Sequence, residues 1–111
     1  MNKIIKIAVD AMGGDGSPKK VIDGIHHHFK NNKNSFYKIF GDKDKILLNI
    51  KNDLPSSSFE IIHTIDTVKG TDSPLEGAKR GKNTSMWLAV QSVKEKKSDV
   101  VISAGNTGAL L

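Results

Sequence analysis

Ile4-Ile5-Lys6-Ile7-Ala8-Val9-Asp10-Ala11-Met12-Gly13-Gly14-Asp15-Gly16-Ser17-Pro18 passes from an apolar run, through a glycine-rich loop, to a proline. The run from Ile4 to Val9 predicts a strand that ends at Asp10. Ser17 then Pro18 reads as an N-cap followed by proline at the first helical position, where no N–H is needed. Val21, Ile22, Ile25 and Phe29 repeat at helical spacing, so residues 18 to 31 are expected to form a helix with one apolar stripe. Strand, glycine loop and helix in this order form the opening of an α/β fold.

The rest of the chain repeats that alternation. Phe36 to Phe40 predicts a second strand, and Asp42 is placed to cap a helix carrying Ile46, Leu47 and Ile50. Leu54-Pro55-Ser56-Ser57-Ser58 breaks that helix. Phe59 to Ile65 predicts a third strand, and residues 66 to 82 are expected to be irregular. Asn83 or Thr84 could cap a helix whose Met86, Ala89, Val90 and Val93 line one face. Asp99 to Ser103 predicts a fourth strand, followed by Ala104-Gly105-Asn106-Thr107-Gly108. Strands separated by helices imply a parallel sheet flanked by helices. Ligands of such sheets bind beyond the carboxyl ends of the strands, which is where both glycine loops fall. With Ala109-Leu110-Leu111 following so soon after the fourth strand, we expect residues 1–111 to be the amino-terminal part of one α/β/α domain, incomplete at its carboxy terminus.

Composition narrows the function. The 111 residues are 37% hydrophobic and 26% charged, as in an ordinary folded domain. No apolar run approaches the ~20 residues that cross a membrane, so a cytoplasmic location is expected. The absence of cysteine removes disulfides, thiolate metal sites and a cysteine nucleophile. The net charge of +5 comes from sixteen lysines spread along the chain and from Arg80 alone among arginines. A nucleic-acid footprint would be clustered and richer in arginine, so no nucleic-acid partner is expected.

Three segments could carry chemistry. The glycines between Asp10 and Pro18 fit neither a P-loop nor a dinucleotide fingerprint. They either let the chain turn or let backbone N–H groups hold an anion at the helix start. The Gly105-Asn106-Thr107-Gly108 loop leaves the same two options open. Lys79-Arg80-Gly81-Lys82-Asn83-Thr84-Ser85-Met86 puts three cations before a helix start, which a bound anion would offset; a solvated lysine-rich loop is the commoner case. His26, His27 and His28 project about 100° apart on a helix and cannot converge on one metal, so surface histidines are expected. His63, in the third strand without an evident partner, is expected to be structural and at least half buried. Trp87 is expected to serve packing.

Taken together, Ile7 to Asp15, Asp72-Ser73-Pro74 through Met86, and Ser103 to Leu110 resemble the PlsX family of phosphate acyltransferases over essentially the whole chain. Gly16-Ser17-Pro18 stands where that family usually has His-Ala-Pro. The resemblance implies reversible transfer of a fatty acyl group from acyl carrier protein to inorganic phosphate, giving acyl phosphate for phospholipid synthesis. It implies an α/β/α sandwich like those of isopropylmalate dehydrogenase and phosphotransacetylase, a homodimer, and no cofactor. It also implies peripheral contact with the membrane enzyme that acylates glycerol 3-phosphate. Arg80 and Lys82 would hold phosphate with help from Asn83 and Ser85, and Asn106 and Thr107, with Gly108, would stabilise the oxyanion. Asp10 and Asp15 would order the Gly13-Gly14 loop, and Ser103 and Gly105 would complete the substrate site. Two other readings remain: a non-catalytic remnant of a split gene, and a dehydrogenase of similar fold, for which no acidic ribose-binding residue is in place. The isolated chain is expected to be catalytically silent and marginally stable.

Overall fold

β1 (Ile5–Asp10) lies inside a four-stranded sheet, between β2 (Ser35–Gly41) and β4 (Val100–Ser103), with β3 (Phe59–His63) beyond β2. The computed structural model describes residues 3–65 and 84–103. Every pairing is parallel, with Ile7 opposite both Tyr37 and Val100 and Asp10 opposite Phe40 and Ser103. The four strands fall within a residue or two of their sequence expectations.

Alternation along the strands divides the core in two. Ile7, Val9, Tyr37 and Ile39 face α1 (Lys19–Asn31) and α2 (Lys43–Leu47), meeting Ile22, Ile25, Phe29 and Ile46. Ala8 and Phe40 face the other way and meet Ala89 of α3 (Ser85–Lys94), with Ile62, Leu88 and Val93 around them. The chain steps outward from β1 to β2 to β3, then returns past both to reach β4. Right-handed crossovers taken in opposite directions put their helices on opposite faces. The direction changes between β1 and β4, so the crevice at a doubly wound sheet's switch point opens at the carboxyl ends of these two strands.

The caps show how local chemistry sets the helix starts. The Asp42 side chain accepts from the N–H groups of Asp44 at 3.1 Å and Lys45 at 3.4 Å. Of the two candidates for α3, Thr84 is the cap, its Oγ1 accepting from Trp87 N at 3.1 Å. Ser17 does not cap α1. Pro18 occupies that position, while the Ser17 hydroxyl donates back to the Gly13 carbonyl. α2 ends at Leu47, and Ile50 packs against the core from beyond the helix. On α3, Val90 and Val93 are half buried, and Ser85 and Ser92 take the deeper places beside Met86 and Ala89.

Two histidine expectations are corrected. His26 is 7% exposed rather than a surface residue. Its Nε2 accepts from Lys51 N at 3.0 Å, which leaves the proton on Nδ1 to donate to the Ile22 carbonyl at 2.8 Å. Both ring nitrogens are satisfied, so the imidazole can be buried. His63 is exposed and does have a partner: its Nδ1 accepts from Lys43 N at 3.0 Å at the start of α2. His27 is exposed, and His28 Nδ1 lies 2.6 Å from the Tyr37 hydroxyl.

Candidate functional site

At the switch point the last residue of β1 is a buried carboxylate. Asp10 is 1% exposed. Its Oδ1 accepts from Ser85 Oγ at 2.5 Å and from Met12 N at 3.1 Å, and its Oδ2 accepts from Ser103 Oγ at 2.8 Å. Strand alternation turns Asp10 and Ser103 to the α3 face, and the first turn of α3 brings Ser85 to the same point. A carboxylate leaves water at a cost of several kcal/mol unless hydrogen bonds replace its hydration. Two hydroxyls and an amide do so here. This carboxylate therefore fastens the end of β1, the start of α3 and the end of β4 to one another.

The bond from Met12 N two residues on is a local turn of the kind Asp side chains favour. Ala11 N adds a bond to the Phe40 carbonyl at 3.0 Å. Beyond them the chain reverses through Gly14 at φ 83° and Gly16 at φ 78°, which only glycine adopts without strain. Gly13 contributes its carbonyl to Ser17, and Asp15 is exposed on the loop. The loop then feeds α1, with Lys20 N donating to the Gly16 carbonyl.

Of the residues singled out in the sequence, Asp10, Ser85 and Ser103 thus meet in one cluster, with Gly13, Gly14 and Asp15 in the adjoining loop. Arg80, Lys82, Asn83, Gly105, Asn106, Thr107 and Gly108 lie outside the described residues. The cluster also restricts roles. The hydroxyl protons of Ser85 and Ser103 are directed at Asp10, so an incoming anion meets these side chains as oxygen acceptors. The Met12 amide is likewise committed and is not free for an anion. Asp10, closed off and accepting three hydrogen bonds, is placed to position its neighbours.

Sequence reasoning missed a second feature. A cavity of about 420 Å³ runs from Asp10 along the α1 face, lined by Ile7, Val9, Val21, Ile25, Tyr37 and Ile102. Burial raises the Tyr37 phenol pKa above its ordinary value, partly offset by a hydrogen bond involving Ser35. The helical lining, Lys20, Val21, Gly24, Ile25 and His28, recurs at one-turn spacing. That periodicity was the available signal, but it is also what core packing produces.

Comparison with known proteins places the chain. It is 82% identical over 111 residues to the phosphate acyltransferase of Pelagibacter ubique, covering 100% of this chain and 33% of that protein. It is 44% identical over 107 residues to the phosphate acyltransferase of Streptococcus uberis, covering 96% of this chain and 31% of that protein. The chain thus spans about a third of the length of the curated relatives it matches. A family model described as fatty acid synthesis protein matches residues 5–111, and the chain belongs to that family.

Proposed function

We propose that this chain supplies one third of an enzyme that moves a fatty acyl group from acyl carrier protein to inorganic phosphate. The observation that carries the reading is the Asp10 cluster. It joins the glycine loop after β1, the helix start that follows the basic segment, and the strand end that precedes the Gly105–Gly108 loop, all at the switch-point edge. In the proposed reaction a phosphate oxygen attacks the thioester carbonyl. The tetrahedral intermediate then collapses with loss of the carrier-protein thiol, which leaves with a proton, and acyl phosphate remains. No covalent enzyme intermediate is required, which suits a chain without cysteine. Arg80 and Lys82 neutralise phosphate so that it can approach, Asn83 assists, and Asn106 and Thr107 with Gly108 receive the oxyanion. Ser85 and Ser103 act through Asp10 to set the positions of these loops. A homodimer and a membrane acyltransferase that consumes the acyl phosphate complete the proposal, with the enzyme in the cytoplasm and peripheral at the membrane. Among the described residues no helix is long and apolar enough to cross a membrane.

The test is phosphate-dependent release of free thiol from acyl carrier protein. It is measured for the 111-residue chain and for the chain joined to the remaining two thirds of the Pelagibacter ubique relative. The joined protein turns over and the chain alone is silent. Asn106→Ala lowers kcat of the joined protein by roughly 10²–10³, as loss of one oxyanion donor does. Release that does not depend on phosphate, or none from the joined protein, would sink the reading.

A further inference from the structure

We propose that α2 and the turn behind it, residues 43–54, form a flap that two neutral histidines hold shut and that acid loosens; the inference does not depend on the acyl-transfer reading. A helix leaves its first amides without partners inside the helix. In α2 the amides of Asp44 and Lys45 go to the Asp42 side chain, and that of Ile46 goes to the Asp42 carbonyl. The Lys43 amide goes instead to His63 Nδ1 on β3, at 3.0 Å. Past α2 the amides of Asn49 and Ile50 turn back to the Ile46 and Leu47 carbonyls. The Lys51 amide goes to His26 Nε2 on α1, at 3.0 Å, and the Lys51 carbonyl accepts from Leu54 N. Two imidazoles thus hold the two ends of one segment, which lays Ile46, Ile50 and Leu54 against the larger core cluster.

Each of these bonds exists only while the ring is neutral. A backbone amide can only donate, so His63 Nδ1 and His26 Nε2 are the unprotonated nitrogens. Histidine is the side chain that takes up a proton between pH 5 and 8. A proton added at either nitrogen turns the acceptor into a donor that faces another N–H, and the bond is lost. His26 has a second partner in place. Asp53 Oδ1 lies 3.5 Å from Nε2, so the protonated ring exchanges the Lys51 amide for this carboxylate. Asp23, one turn earlier on α1, is held by Lys19 at 2.8 Å and also interacts with His26 and Lys51. His63 is exposed, and the charged residues it adjoins at the start of α2 are Asp42, Lys43 and Asp44. Glu60 pairs with Lys38 and, three residues before His63, points to the other side of β3. The apolar contacts of Ile46 and Leu54 do not titrate, so acid loosens the segment at its ends without opening the sheet.

The test is amide exchange in the joined protein, labelled with ¹⁵N at lysine and read by NMR from about pH 7.5 to about pH 5.5. Protection is taken relative to the unstructured rate at each pH. We expect protection at Lys43 and Lys51 to fall roughly five- to tenfold as the rings charge, the size of one lost hydrogen bond. Lys38, in the middle of β2, should not change. His26→Gln and His63→Asn each keep an acceptor at the position of the ring nitrogen but do not titrate. Each should abolish the pH response at its own amide and leave the other's. Asp53→Asn removes the partner of the charged ring and should move the Lys51 response to lower pH while leaving Lys43 alone. Protection that does not vary with pH at either amide, or at one of the two, overturns the double tether. So does an unchanged response in the Gln and Asn variants, or an equal loss at Lys38, which would mean that the sheet itself opens. His63 is exposed, so His63→Asn still decides the matter if His26→Gln does not fold.

Discussion

On the sheet face covered by α1 and α2, Ile7, Val9, Ile22, Ile25, Phe29, Tyr37, Ile39 and Ile46 belong to one buried apolar cluster. On the face covered by α3, the described cluster has only Ala8, Phe40 and Ala89 fully buried, while Asp10, Thr84 and Ser85 are buried polar residues beside it. The first face removes large side chains from water, and at ~25 cal/mol per Å² that burial holds the sheet together. Among the described residues the second face buries fewer large apolar side chains, and small Ala8 and Ala89 meet there. Its specificity comes from hydrogen bonds that work in one geometry only. Among the described residues, most of the apolar burial and the buried polar cluster thus lie on opposite sides of the same strands.

The largest test of that division is Ile39→Ala. Ile39 has no exposed surface and sits in the larger cluster. Its truncation should cost about 3–4 kcal/mol in urea unfolding, inside the usual range of roughly 2–5 for such a change. A loss below ~1 kcal/mol would mean that the α1 face does not carry the fold.

A smaller effect is expected from Asp10→Ala, about 2–3 kcal/mol, because a buried donor left without an acceptor costs roughly 1–3 kcal/mol and part of the loss is recovered as the serines reorient. Ser85→Ala removes one of the three donors and should cost about 1 kcal/mol. Equal losses for the two variants would mean that Asp10 does not act as a junction. The comparison sharpens if amide exchange rises near Met12 and Ser103 in Asp10→Ala but not in Ile39→Ala.

The smallest effect is alkaline and belongs to the apolar face. Burial raises the Tyr37 pKa above its ordinary value of 10.0, so the folded state favours the neutral phenol. That contribution is fully present below pH 10 and is lost as pH rises through the folded value. The urea midpoint should fall more steeply between pH 9 and 11 in the wild type than in Tyr37→Phe. Parallel slopes would mean that the phenol is not held in a water-poor site.

The order of the described elements is legible in the sequence, because hydrophobic periodicity and turn residues act over a few positions. The strand at Ile4–Val9, the stripe Val21, Ile22, Ile25 and Phe29, and the cap at Asp42 were all readable there. Capping was not settled locally where two candidate acceptors competed. Nothing local told Ser17 to turn its hydroxyl back to Gly13, or chose Thr84 over Asn83. Burial of His26 was hidden for a different reason. Its acceptor role depends on Lys51 N–H, twenty-five residues away, and helical spacing cannot report such a partner. The tertiary structure alone decided that Asp10, Ser85 and Ser103 meet, across separations of 75 and 93 residues. Strand order decides which chain ends become neighbours, and that order follows from long-range pairing and crossover handedness rather than from any local pattern. The cavity beside α1 has the same origin, since Ile102 joins its wall only because β4 pairs with β1.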